Sequence, residues 1–84
     1  MNTQTISGTL TAIKRLNNSY SGNPNYRLTL TTSNGHEIPV GTLNDSMVNY
    51  AIDWGMIDKP ITLKVKVNRY SNKLLDIINE EVTQ

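Results

Sequence analysis

Nine side chains in this sequence have the types needed to hold a polyanion. Lys14, Arg15, Arg27, Lys64, Lys66, Arg69 and Lys73 supply positive charge, and Tyr20 and Tyr70 supply flat aromatic faces. Cations neutralise phosphates while tyrosines stack on bases, the usual arrangement for single-stranded DNA or RNA. The formal net charge is only +1, so any such signal must lie in where the charges sit rather than in their sum. No Asp or Glu precedes Glu37, so the first 36 residues carry only positive side-chain charge. A plainer reading competes. Alternating threonine and lysine is what any solvated strand presents, exposed lysines discourage edge pairing, and Tyr20 could pack over its own loop.

Catalysis has little to stand on. His36 is the single histidine and falls in a turn between two strand-like runs, where a solvated role is expected. Asp45 sits where a helix cap would be, Asp53 and Asp58 flank the exit of that segment, and Glu80 and Glu81 lie near the C-terminus. No carboxylate pair, nucleophile with a base, or phosphate-cradling glycine loop emerges, so an enzyme is not expected. With no cysteine and one histidine, neither a metal site nor a cofactor is expected.

Strands must position the candidate residues. Thr5 to Leu16 alternates, with Ile6, Gly8, Leu10 and Ala12 on one face, until the phase slips at Ala12-Ile13 and predicts a bulge. Asn17 to Asn25 is dense in turn-forming residues and reads as a long surface loop carrying Tyr20. Tyr26 to Thr32 puts Tyr26, Leu28 and Leu30 inward and Arg27, Thr29 and Thr31 outward, so the outward face lacks an aromatic. Asn34-Gly35 marks a hairpin, because both residues tolerate positive φ. The return strand, His36 to Val40, should lie at an edge or stop at Pro39.

One helix is expected after Asn44-Asp45-Ser46, with Met47, Val48, Ala51 and Ile52 at helical spacing, Tyr50 and Trp54 in core and rim packing, the alternative being an exposed aromatic patch, and Gly55 as the stop. From Pro60, the residues Ile61, Leu63, Val65 and Val67 alternate with Thr62, Lys64, Lys66 and Asn68. A tight turn at Ser71-Asn72 leads into a last strand, Lys73 to Val82, with Leu75 and Ile77 as core contacts and Leu74 and Ile78 on the opposite phase.

Five strands with one helix between the third and fourth resembles the OB-fold, a small Greek-key barrel, over nearly the whole chain. The fold class expected is therefore mainly β, one domain over residues 1–84, with an SH3-like barrel as the alternative. The resemblance is to an architecture and not to a sequence family. It implies that the helix plugs the barrel and that the loops bearing Tyr20 and Tyr70 flank one groove.

The N-terminus has no basic cluster followed by an apolar run, and no apolar stretch approaches the ~18–20 residues that span a bilayer. With cysteine absent, a cytoplasmic home and no membrane partner are expected. Asn17-Asn18-Ser19 has the form of a glycosylation acceptor, an accidental match in such a chain. The other functional class is a protein–protein interaction or inhibitor module, of the kind phages and plasmids encode. It would work through the long loop or through an edge strand, including self-pairing into a homodimer.

Overall fold

The computed structural model describes residues 2–69 and 71–78. Strands take 57 % of these residues and helix almost none, so the protein is mainly β. The strands are β1 (Asn2–Leu16), β2 (Asn25–Thr31), β3 (Glu37–Thr42), β4 (Pro60–Val67) and β5 (Asn72–Ile78). They close in the ring order β1-β2-β3-β5-β4, every pairing antiparallel except β3 with β5. This is a five-stranded barrel of the OB-like kind that the order of elements predicts.

A single strand serves two sides of the ring. The first half of β1 pairs with β4, from Asn2↔Val67 to Thr9↔Pro60, and the second half pairs with β2, from Thr9↔Thr31 to Leu16↔Asn25. Register shifts between Leu10 and Ala12, leaving Thr11 as the extra residue. The bulge expected at Ala12-Ile13 thus falls one residue earlier, and it turns the strand. Gly8 lies beside this bend, and a Cβ there would sit 2.8 Å from the Thr31 carbonyl oxygen. No side chain fits such a gap, which explains glycine inside a strand.

Alternation fills the barrel. Leu10, Leu28, Leu30, Val40, Leu63, Val65 and Leu74 are at most 1 % exposed, and Ile52 joins them from outside the strands. Each such side chain contributes about 1.5–3 kcal/mol by leaving water. Several expectations need correction. On β5 the core residue is Leu74 and not Leu75, because a second register shift opposite Lys64/Val65 makes Leu75 the unpaired residue. Leu74 and Ile77 can therefore both pack toward the core despite their odd spacing. On β1, Ala12 is exposed, since the bulge has already changed the phase.

Pro39 does not end β3, which runs on to Thr42 and joins β5 at Gly41↔Lys73 and Thr42↔Leu74. The missing N–H does no harm, because Pro39 precedes the paired stretch, and its carbonyl accepts instead from the Asn72 side chain at 3.3 Å. In the hairpin only Gly35 takes positive φ, at 85°. Its N–H donates to the Thr32 carbonyl, and the Thr32 N–H donates to the His36 carbonyl, both at 2.9 Å.

The expected helix is replaced by two 3-10 turns, Met47–Ala51 and Trp54–Met56. Asp45 is left-handed at φ 60° and makes no cap; the residue before the first turn is Ser46, whose hydroxyl does not cap it either. The Asn49 side chain, fully buried, explains the tighter winding. Its amide donates to the carbonyls of Pro24 at 3.0 Å and Leu43 at 2.7 Å, drawing this turn down onto the chain on either side. Of the four residues expected to plug the barrel, Ile52 is buried and Val48 partly so, while Met47 is 80 % exposed and Ala51 is exposed. None of the described helical segments is long and apolar enough to cross a membrane.

Candidate nucleic-acid interface

Register alone gathers four of the predicted cations. Lys14 pairs with Arg27, Arg27 with Gly41, Gly41 with Lys73, and Lys73 with Lys66. Directly opposed residues project on the same side of a sheet, so one row crosses all five strands on the outer wall. Its centre is glycine. A Cβ at Gly41 would meet the Lys73 Nζ at 3.3 Å, so the lysine lies along β3 where no side chain stands. Beside it is a groove of about 460 Å³ lined by Arg27, Arg69, Lys73 and the polar Asn68, Ser71 and Asn72, with Gly41 and Pro39 below. Among the described residues no carboxylate lines it.

The remaining predicted residues divide. Lys64 shares the outer face of β4 but stands opposite Asp76, which offsets its charge. Arg15 pairs with Tyr26 on the other phase of the strands and leaves the row. Its guanidinium lies 5.4 Å from the Tyr26 ring centre and donates to the Asn18 side-chain oxygen at 2.6 Å. Tyr20 is fully exposed, at 106 %, and is not among the residues lining the groove. The expectation that it packs over its own loop does not hold. Tyr70 lies outside the described residues.

Two loops leave the strands beside this row, in opposite directions. β2 begins at Asn25 where β3 ends at Thr42, but β5 runs parallel to β3, so β4 ends at Val67 and β5 begins at Asn72 on the side where β3 starts. The β1–β2 loop, residues 17–24, and the β4–β5 connection therefore leave at opposite ends of their strands. The first of these loops is tied to residues 43–50 by side chains. Asp45 accepts from the Ser19 hydroxyl and the Asn23 amide, each at 2.7 Å, and these donors hold its carboxyl below the usual carboxylate range. The Tyr50 hydroxyl donates to the Asn23 side-chain oxygen, and Asn25 donates to Asn44 at 2.8 Å.

Sequence reasoning missed several participants. Asn68, Ser71 and Asn72 reach the groove because β5 runs beside β3, a pairing with no local signal. Tyr50 and Trp54, expected in core and rim packing, are instead 58 % and 54 % exposed. Trp54 stands edge-on to Tyr26, with ring centres 6.2 Å apart. Elsewhere, where β1 bends, a cavity of about 630 Å³ is lined by Ser7, Thr9, Thr31, Thr32 and Thr62, with no charged side chain among the described residues. Among the described residues no three of His, Cys, Asp and Glu gather as metal ligands would. Comparison with protein-family models, curated proteins and solved structures finds no match for the chain.

Proposed function

We propose that this protein is a non-enzymatic binder of single-stranded DNA or RNA, holding phosphates along the outer wall of the barrel. One observation carries the reading. Lys14, Arg27, Lys73 and Lys66 fall in register across the ring, beside a groove without a carboxylate among the described residues. A strand crossing that row would exchange its counterions for fixed cations, while Gly41 leaves room for the Lys73 side chain. Tyr20, wholly exposed in the loop between β1 and β2, offers a face for a base to stack on.

The test is a labelled oligothymidine followed by fluorescence anisotropy at rising salt. Three phosphate contacts give a log–log slope of about −2, at about −0.7 each. Arg27→Ala with Lys73→Ala should flatten the slope by more than half. Affinity independent of salt, or no binding at low salt, would remove the proposal.

Exposure of Met47, Tyr50 and Trp54 favours a second reading, a protein-interaction or inhibitor module with an apolar contact patch. Such binding would survive high salt. A cytoplasmic setting suits both readings, as does a phage or plasmid origin; both rest on composition alone.

A further inference from the structure

Among the described residues the groove has charge but no flat surface. Outward positions on β2 are Arg27, Thr29 and Thr31, and those lining the groove from β3 and β5 include no aromatic. Phosphate contacts to these strands leave the π-faces of the bases in water, and aromatics beyond them would cover those faces. Exposed aromatics gather beside the start of β2. Tyr50 and Trp54 each remain more than half exposed, although both are pinned in place. The Tyr50 hydroxyl is held by Asn23, and the Trp54 ring by the Tyr26 edge contact. Their anchors lie on one stretch of chain, Asn23 to Tyr26, which leads directly into Arg27 of the cationic row.

We infer that Tyr50 and Trp54 form a base-stacking platform, flanked by Arg15 on the ring of Tyr26, for the bases of a bound single strand. This rests on the nucleic-acid reading and extends it to a surface outside the groove. Arg15 supports the occupant chosen. Its guanidinium packs on the same Tyr26 that holds Trp54, placing a fixed positive charge at the edge of the platform. Rigid rings held by one hydrogen bond and one ring contact lose little freedom on binding, which suits them to stacking.

Trp54 is the only tryptophan in the chain, so its emission reports on the platform alone. An unlabelled oligothymidine is titrated into the full chain while Trp54 emission is read, and a labelled one is followed by anisotropy in parallel. Stacking predicts quenching that saturates with the anisotropy. It also predicts that Trp54→Ala weakens binding about tenfold, that Trp54→Phe restores most of the loss, and that melting of both variants stays close to the parent. If anisotropy reports binding while Trp54 emission is unmoved and Trp54→Ala binds like the parent, the platform is overturned and the nucleic-acid reading stands. If neither signal changes, both fall. A blue shift of Trp54 with protein concentration alone, matched by a dimer in sedimentation, would assign the patch to a second copy and overturn the platform.

Discussion

Where β3 runs beside β5, the outer wall of the barrel carries Arg27, Arg69 and Lys73 around Gly41, over which the Lys73 side chain lies. Where β1 bends it carries Ser7, Thr9, Thr31 and Thr62. Both regions are built from the same strands with the same alternation, yet they leave different demands on solvent. The hydroxyls satisfy one another, Ser7 with Thr62 at 2.9 Å and Thr11 with Thr31 at 3.0 Å. Lysine and arginine in the groove repel one another and gain from an anion. Size does not decide the matter: the neutral cavity is the larger, at about 630 Å³ against about 460 Å³. What separates the two is the cationic charge gathered in one of them.

Reversing that charge is the most severe way to break the contrast. Arg27→Glu with Lys73→Glu removes two charge-assisted contacts, each worth about 1.5–3 kcal/mol, and sets repulsion in their place. Oligothymidine affinity should fall by about 100-fold or more in anisotropy, with melting little changed. Thr62→Glu in the neutral region should leave affinity within about twofold, since at one Debye length, ~8–10 Å, its charge is largely screened. Equal losses in both variants would erase the distinction between the regions.

Next in size is Gly8→Val. Its Cβ would press on the Thr31 backbone 2.8 Å away, and backbone cannot swing aside. Overpacking of this kind costs about 1–3 kcal/mol, to be read as a lower denaturation midpoint. Oligonucleotide affinity should hold at concentrations where the variant is folded. A variant as stable as the parent would show that the bend in β1 is not clamped at Gly8.

The smallest effect sharpens the charged region itself. Donors from Ser19 and Asn23 lower the Asp45 pKa in the folded protein, so this link stabilises above the unfolded carboxyl's pKa, about 4. It is lost as pH falls through the lower folded value. Asp45→Asn should therefore melt slightly below the parent at neutral pH and converge with it in strong acid. A gap that widens on acidification would contradict the assigned sign.

Much of the wall was legible because period two is a local signal. Leu28 and Leu30, or Leu63 and Val65, declare the buried face within a few residues, and Arg27 and Lys66 then point outward by default. Juxtaposition was legible only through topology: Lys73 reaches Gly41 by a parallel pairing between strands separated by a third. Two misreadings have the same root. Spacing of Met47, Val48, Ala51 and Ile52 is α-helical, yet the segment winds as 3-10 with Asn49 buried and bound to Pro24 and Leu43, contacts that no local pattern shows. The phase of β5 depends on the extra residue Leu75, visible only once β4 lies alongside. Long-range partners settled both. Where the cationic row lies was therefore readable in part, whereas the exposure of Trp54 was not.

Closure of the ring between β3 and β5 rests on two residue pairs, Gly41↔Lys73 and Thr42↔Leu74, against seven or eight where β1 meets each of its neighbours. This is the thinnest seam of the cylinder, and the cationic groove straddles it. A ligand bridging Arg27 on one bank and Lys73 on the other would act as a clasp, coupling occupancy of the groove to how seldom the ring springs open.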